Sequence, residues 1–417
     1  MGPHMRRVSV WARMLKLERT TIVEDVSFDD AANAIVVHVR PNKHAKGRCG
    51  ECGRRVPFYD RGDGRRRWRA LDLGPLRAYL EAEAPRVQCP AHGVIVAQVP
   101  WARHAAGFTY AFEDMVSWLA AHCSKSAVQD LMRIAWRSVG RIVTRVVADA
   151  QREQDRFANL TCIGIDEISY KRRQNYLTVV VDHDSGRLIW AAPGRSEATL
   201  RKFFDELGEE RSHKITMVTA DAADWIRKVV KERSPAAEIC LDPFHIVSWA
   251  TDALDEVRRL VWNDARFTGQ KALAKALKDA RFALWKNPED LTERQKTRIA
   301  LIAKTNAPLY RAYLLKEQLR QVFHLPPEQA VVLLDSWVAW AQRSRLKPFQ
   351  DLAKKIRSHR TAIKNSLRYD LSNAIVESAN TKIRLLTRIA FGFHSPMALI
   401  ALAMLSLGGC CPALPHA

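Results

Sequence analysis

Between residues 161 and 242 the sequence alternates short apolar runs with helical segments in an order that few folds accommodate. The runs predict strands at 161–166, 176–181, 187–191, 215–219 and 238–241, and helical periodicity predicts helices at 198–207 and 223–231. The first three strands follow one another directly, which favours an antiparallel meander, whereas the last two alternate with helices. We therefore expect one mixed α/β sheet over this region.

Acidic side chains stand at two ends of this predicted sheet. Asp166 ends the first strand, and Asp221 closely follows the fourth. A three-strand meander followed by a β-α-β unit, with carboxylates at these two ends, is the order expected of an RNase H-like α/β sheet. The order predicts both the fold of this part of the chain and a site at its acids.

Two pairs of potential metal ligands lie upstream of the sheet. Cys49 and Cys52 are separated by two residues, as are Cys89 and His92, and turn-forming glycine or proline accompanies each pair. This spacing lets a turn direct both members of a pair at one ion, and the donors are those that Zn²⁺ prefers. The pattern predicts a structural Zn²⁺ site with a β-hairpin between the pairs; four unrelated loop residues are the alternative.

A strongly basic stretch overlaps the cysteine pairs. Residues 43–69 contain ten Lys or Arg and three acids, with Tyr59 and Trp68 interleaved. This composition suits contact with phosphates, whereas a solvated loop is the alternative. We expect four of its side chains to bind DNA: Arg65, Arg66, Arg67 and Arg69.

A helical unit is predicted between the metal-ligand pairs and the sheet. Its three helices are expected at 110–123, at about 125–132 behind a serine cap, and at 136–154. In the third helix Arg137, Arg141 and Arg145 recur every fourth residue, opposite the apolar face. The pattern is typical of a helix-turn-helix whose last helix contacts DNA, although an ordinary surface helix also shows it.

Residues 248–368 are rich in helical segments and lack strand signals. They predict an all-helical insertion between the fifth strand and a final helix of the sheet domain. Five tryptophans lie within it, and most of them should belong to its core because large aromatics usually do.

The overall charge favours a polyanionic partner. The 417 residues contain 66 Lys or Arg and 45 Asp or Glu, a formal net charge of +21. An anionic membrane is the competing partner, but the longest apolar stretch, 397–405, is far shorter than the roughly 18 residues that a spanning helix needs. We expect a cytoplasmic protein that binds double-stranded DNA and no membrane.

Four motifs give the chain a resemblance to a known family. They are GIDE at 164–167, TAD at 219–221, DPFH at 242–245, and a spaced pattern from Ser372 that contains Asn373, Glu377, Asn380 and Arg384. Together they resemble the DDE transposases of bacterial insertion sequences, most closely the ISL3 group, whose members carry an N-terminal zinc module and a helix-turn-helix. The resemblance covers nearly the whole chain and implies Asp166, Asp221 and Glu377 as the catalytic acids.

Other acids compete with these three. Glu167 follows Asp166 directly, but adjacent side chains on a strand point to opposite faces, so only one of the two joins the site. Asp224 is better explained as a capping or surface acid, and the acids at 182 and 184 as turn formers. Asp242 ends the fifth strand and is expected near the rim of the site.

The helix around Glu377 combines one acid with amides and arginines on one face. Asn373, Asn380, Arg384 and Arg388 share that face, and we expect them to bind DNA beside the acid. An exposed helix with ordinary salt bridges is the alternative. His245 is expected either to contact DNA or to cap the helix that follows the fifth strand.

The predicted chemistry is metal-dependent phosphoryl transfer. In-line attack on a phosphodiester builds charge on the attacking and leaving oxygens, and two divalent ions about 4 Å apart stabilise both. Mg²⁺ or Mn²⁺ needs only a few carboxylate ligands, which repel one another until a cation occupies the site. We therefore expect weak metal binding without DNA and assembly of the site with it.

These inferences predict a DNA transposase with an RNase H-like core. It would bind terminal inverted repeats and target DNA as a homodimer, with catalytic Mg²⁺ or Mn²⁺ and structural Zn²⁺. The alternatives are an RNase H-like nuclease without joining activity and an inactive zinc-dependent repressor. The expected divisions are a zinc-binding module at 1–105, the helix-turn-helix at 106–155, core segments at 156–247 and 369–417, and the insertion at 248–368.

Overall fold

The computed structural model describes residues 10–171, 175–390, 392–393 and 395–414, and the chain divides into two compact units. The first unit runs to Gln154 and includes the residues from Ala401 onward, and the second runs from Asp155 to Ile400. Among the described residues, no helix has the length and apolar character needed to cross a bilayer.

Two small sheets precede the helices of the first unit. A four-stranded sheet has the order β1-β2-β5-β4, and a three-stranded sheet has the order β3-β6-β7. Their strands are β1 Thr21–Asp29, β2 Ala34–Pro41, β3 Phe58–Asp60, β4 Arg65–Leu73, β5 Leu76–Glu83, β6 Arg86–Cys89 and β7 Gly93–Val96. The antiparallel pair β4 and β5 is the hairpin expected between the cysteine pairs, whereas β1 and β2 were not predicted.

Three helices follow, with the predicted boundaries to within a residue or two. They are α1 Tyr110–His122, α2 Lys125–Met132 and α3 Trp136–Glu153. The Thr109 hydroxyl caps α1 and the Ser124 hydroxyl caps α2, because each accepts a hydrogen bond from a backbone N–H of the first turn. The apolar stripe of α3, from Val139 to Val147, is buried, as its periodicity predicted.

The second unit is built on the predicted five-stranded sheet. Its strands, in the spatial order β10-β9-β8-β11-β12, are β8 Cys162–Lys171, β9 Asn175–Asp182, β10 Leu188–Pro193, β11 Met217–Ala220 and β12 Glu238–Leu241. The first three form the antiparallel meander, and β11 lies parallel to both β8 and β12. The mixed α/β fold expected from the order of the apolar runs is confirmed.

Helices cover both faces of this sheet. On one face α4 Glu197–Leu207 and α6 Asp224–Arg233 bury Phe203 and Val229 against Ile163 and Ile165 of β8, and the short α5 Glu209–Ser212 lies between them in sequence. On the other face α15 Ala374–Ile389 packs on β8 and β9. Because side chains alternate along β8, Gly164 and Asp166 point toward α15.

An all-helical insertion separates β12 from α15, as predicted. Its helices are α7 Pro243–Phe267, α8 Lys271–Asp279, α9 Arg281–Trp285, α10 Glu293–Thr305, α11 Ala307–Val322, α12 Pro327–Arg343, α13 Lys347–Ser358 and α14 Arg360–Tyr369. Trp337 is fully buried in its core and donates its indole N–H to the Leu315 carbonyl at 2.7 Å. A last helix, α16, spans Pro396–Leu407.

The insertion returns to the sheet along its edge. The Ser366 hydroxyl of α14 donates to the Leu241 carbonyl at 2.6 Å, and the Asn365 amide donates to the Ile239 carbonyl at 3.2 Å. These bonds cover the outer side of the edge strand β12, whose backbone groups would otherwise be unpaired.

Gly164 allows α15 to lie close to the sheet. A Cβ atom at this position would lie 2.2 Å from Cγ2 of Val376 and 3.0 Å from both Nε2 of His183 and Oγ1 of Thr219. Val376 is fully buried and precedes Glu377, so its seat on β8 sets how closely the acid approaches Asp166.

We predict that Gly164→Ala lowers the melting temperature of the chain, by an overpacking cost of about 1–3 kcal/mol. The added methyl group must displace α15 from β8. Gly107→Ala is the control, since its added methyl group meets no atom within 4 Å. Thermal unfolding followed by circular dichroism measures the effect, and equal melting temperatures for the two variants would contradict this account of α15 docking.

Candidate functional site

Three acids from distant parts of the sequence surround one point of the sheet. Asp166 lies on β8, Asp221 follows β11 directly, and Glu377 lies in the first turn of α15. The Asn380 side chain donates from Nδ2 to Oδ2 of Asp166 at 2.7 Å. Glu377 and Asn380 are three residues apart on α15, so they share a face, and that face is turned toward Asp166.

The pKa of Asp166 reflects burial and the charges of the other two acids. The pKa of Asp166 is raised to about 6, chiefly by burial; the charges of Asp221 and Glu377 act in the same direction, and the Glu167 N–H and His245 oppose them. Asp221 and Glu377 therefore lie close enough to Asp166 for their charges to act on it, and the assignment of the three as catalytic acids stays a prediction.

The residues present fit a divalent cation. Carboxylate oxygens are the ligands of hard cations, and their mutual repulsion falls when a cation lies between them. Within the described part of the chain, Oδ1 of the nearly fully buried Asn380 has no hydrogen-bond partner and adds a further oxygen beside Asp166. The donor set suits Mg²⁺ or Mn²⁺ better than Zn²⁺.

Glu167 lies on the opposite face from Asp166, as strand alternation predicted. It pairs with Arg195 at 2.7 Å, and burial raises the pKa of its carboxyl to about 7. No sequence pattern pointed to the Arg195 contact.

Asp242 is a supporting residue rather than a member of the rim. It is only 2% exposed, and Oδ2 of its carboxylate accepts a hydrogen bond from Nδ1 of His245 at 2.9 Å. This hydrogen bond raises the pKa of His245, with smaller contributions in the same direction from Asp242, Asp221 and Asp166 as charges. His245 thus carries positive charge more readily beside the acids.

Asn373 and Asn380 are not surface residues, which corrects the expectation that they bind DNA. Asn373 is fully buried; its Oδ1 accepts from the Thr219 hydroxyl at 2.8 Å, and its backbone N–H donates to Asp242 at 3.4 Å. The same hydroxyl accepts from Nε2 of His183 at 2.6 Å. The two asparagines hold α15 against the sheet, whereas Arg384 and Arg388 are exposed and remain predicted DNA contacts.

The zinc ligands converge in the first unit. Sγ of Cys49 lies 3.6 Å from Nδ1 of His92, and Sγ of Cys52 lies 3.8 Å from Sγ of Cys89. All four ligand atoms lie within 4.8 Å of one another, as a tetrahedral ion requires. Gly50 has no room for a side chain, since a Cβ there would lie 2.1 Å from Nδ1 of His104. The four residues form a structural Zn²⁺ site.

The arginines of the basic stretch are largely used within the protein. Arg65 and Arg67 each pair with Glu81 at 2.8 Å, and Arg67 also pairs with Asp29 at 2.8 Å. Arg69 is buried and pairs with Asp72, so the expectation that it binds DNA is wrong.

Arg66 is likewise engaged. It donates to the Ala106 carbonyl at 2.9 Å and lies over the buried Trp68 ring. One partner, Asp29, comes from β1, a strand that the sequence did not predict. The DNA contacts expected of Arg65, Arg66 and Arg67 stay predictions.

The arginine stripe of α3 also divides. Arg137 and Arg141 are exposed, but Arg145 pairs at 2.6 Å with Glu113, whose side chain is fully buried on α1. Arg103 also contacts Glu113, at 3.4 Å. Arg145 therefore joins α3 to α1, which corrects its placement on a DNA-facing stripe.

The fold and this constellation of acids define a DDE transposase. Residues 163–403 match the model of the ISL3 DDE domain, described as a transposase. Residues 45–92 match the zinc-finger of transposase IS204/IS1001/IS1096/IS1165, and residues 97–147 match the helix-turn-helix domain of transposase family ISL3.

Two relatives support the same conclusion. The chain is 57% identical to the transposase for insertion sequence element IS1557 of Mycobacterium tuberculosis, over 99% of this chain and 98% of that protein. It is 25% identical to the transposase for insertion sequence element IS1001 of Bordetella parapertussis, over 88% of this chain and 90% of that protein. The chain belongs to the ISL3 family of transposases, enzymes of DNA transposition.

We predict that Cys89→Ser removes the bound zinc and unfolds the strands around it. Four ligands hold the ion, and binding free energy at such a site is folding free energy. Elemental analysis of the purified full chain should give about one zinc per chain for wild type and a large loss for the variant. Cys123→Ser is the control, since this exposed cysteine lies outside the cluster. The assignment would be contradicted if wild-type protein without zinc melted at the same temperature as wild-type protein with zinc.

Proposed function

We propose that the chain cleaves the ends of its insertion sequence and joins the freed 3′ hydroxyls to target DNA by direct in-line phosphoryl transfer. The observation that carries this proposal is that Asp221 and Glu377, from two other elements of the fold, lie close enough to Asp166 for their charges to act on it. Divalent ions held by these three side chains would stabilise the charge on the attacking and leaving oxygens.

The other side chains of the site prepare it for a phosphate. Asn380 fixes one oxygen of Asp166, and Asn373 anchors the start of α15, so that Glu377 enters the site in one orientation. His245, oriented by Asp242, presents an imidazole whose raised pKa favours a positive charge next to the scissile phosphate. Positioned charges of this kind stabilise phosphoryl transfer without a covalent enzyme intermediate.

The first unit supplies DNA recognition. We propose that α3 reads the terminal inverted repeats through its N-terminal turns, where Trp136, Arg137 and Arg141 are exposed, since recognition helices contact base edges with these turns. The ammonium group of Lys125 lies 3.3 Å from the centre of the Trp136 ring and adds a positive charge to the same surface. A homodimer is proposed because two ends must be processed together.

We predict that Asp166→Asn, Asp221→Asn and Glu377→Gln each abolish cleavage and strand transfer while binding to end DNA survives. Each change removes one carboxylate ligand and keeps its size. Asp184→Asn is the control, because this acid lies in an exposed turn. The assay incubates pre-cleaved end DNA and plasmid target with Mg²⁺ and measures joined product. Joined product from any of the three variants would contradict the proposed mechanism. Cleavage without joining by the wild-type protein would identify a nuclease.

We also predict that Arg137→Gln and Arg141→Gln weaken binding to the terminal repeat and each reduce the slope of log affinity against log salt by about one. Arg145→Gln should behave differently, lowering the melting temperature because it strands the buried Glu113. Fluorescence anisotropy at several salt concentrations measures the slope. Unchanged slopes for both surface variants would place DNA elsewhere on this unit.

A further inference from the structure

A lysine and a tryptophan from two helices of the insertion meet beside the acids. Helix α7 starts immediately after Asp242 and carries His245 and Trp249, which are four residues apart and therefore one turn apart on the same face. Lys355 of α13 lies over the indole of Trp249, with Nζ 3.5 Å from the ring centre. Along α7, His245 is thus followed one turn later by Trp249, and the Trp249 ring holds Lys355 of α13.

The charge of Lys355 is free for a ligand. Its neighbours Lys347 and Lys354 both pair with Asp351, at 2.8 and 3.5 Å, whereas Lys355 makes no ion pair within 4.0 Å among the residues that the structure describes. Burial lowers the pKa of Lys355, while the charges of Asp252 and Asp221 act in the opposite direction. The ammonium group of Lys355 therefore lies near enough to Asp252 and Asp221 for their charges to act on it.

A groove with two basic side chains lies beside Trp249, along α6. His359, whose ring centre lies 5.9 Å from that of Trp249, lines a cavity of about 380 Å³ together with Arg227, Lys231 and Asn365. Burial lowers the pKa of His359, so the positive charges of the lining are those of Arg227 and Lys231. Glu238 is the acid among the lining residues, and Arg227 is partly compensated by Asp224 at 2.7 Å.

We propose that Lys355, held in place by Trp249, binds the phosphate next to the scissile phosphate, and that the same DNA strand continues along the groove of His359, Arg227 and Lys231. This inference rests on the proposed function, because it requires the scissile phosphate at Asp221. Trp249 acts as a positioning residue: a lysine fixed on an aromatic ring loses less side-chain freedom on binding phosphate than a free one. The groove adds affinity without sequence preference.

The test compares four variants of the full chain on a duplex that carries the terminal repeat of its own element. Lys355→Gln should reduce the slope of log affinity against log salt by about one. Trp249→Leu should also reduce this slope, because Lys355 loses the ring that positions it. Trp249→Phe should keep the slope near that of wild type, because phenylalanine retains an aromatic face. Lys354→Gln, the adjacent lysine already paired with Asp351, should match wild type.

A second measurement identifies the phosphate. A methylphosphonate next to the scissile phosphate removes one charge from the DNA, and it should weaken binding by wild type but add little to the loss already caused by Lys355→Gln. Such non-additivity is the mark of a direct contact. A purely structural role for Lys355 would lower the melting temperature and leave both the salt slope and the methylphosphonate effect unchanged.

The outcomes separate this inference from the proposed function. If wild type joins ends and Lys355→Gln shows the slope and methylphosphonate effect of wild type, the Lys355 contact is wrong and the transposase mechanism stands. If wild type neither cleaves nor joins end DNA, the proposed mechanism fails, and the contact fails with it as a subsite of that reaction.

Discussion

The burial of Asp166 beside the charges of Asp221 and Glu377 is the constraint on which the second unit depends. Asp166, Asp221 and Glu377 come from β8, the end of β11 and the first turn of α15, and the fold holds them together although their charges oppose it. The surrounding contacts offset this cost: Gly164 admits Val376, and Asn380 bonds Asp166. Carboxylates held close together by surrounding contacts are typical of a site that binds a cation.

A buried polar chain transmits this constraint through the domain. It runs from His183 through Thr219 to Asn373, and from the Asn373 backbone to Asp242 and His245. The Asn373 backbone at the start of α15 bonds Asp242 at the start of α7, so the helix that carries Glu377 and the helix that carries His245 are fixed to each other. Networks of this kind are costly when broken, because each group is left unpaired away from water.

Much of the second unit followed from the sequence, for physical reasons. The apolar runs of β8 to β12 are short and bounded by turns, so their order predicted the sheet, and alternation along β8 placed Glu167 away from Asp166 correctly. Glu377 needed the family resemblance, since no local pattern joins it to Asp221. The prediction that Asn373 and Asn380 bind DNA was wrong, because the sequence of a helical face does not reveal whether it meets solvent or a sheet.

In the first unit, too, the sequence predicted local structure better than contacts between elements. The spacing of Cys49, Cys52, Cys89 and His92 predicted their convergence, because x2 spacing leaves few geometries. The pairing of Arg69 with Asp72 was missed because charge density in a sequence carries no information about partners. The pairing of Arg67 with Asp29 depends on a strand that the pattern did not show. Arg145 was placed on the correct helix, but its partner Glu113 lies on another.

The most direct test of the central claim is anomalous diffraction from crystals of the full chain with paired end DNA and Mn²⁺. We expect manganese peaks bounded by the carboxylates of Asp166, Asp221 and Glu377, next to the scissile phosphate and at the roughly 4 Å separation of a two-ion site. Manganese bound away from these three side chains, with the scissile phosphate lying elsewhere, would contradict the account.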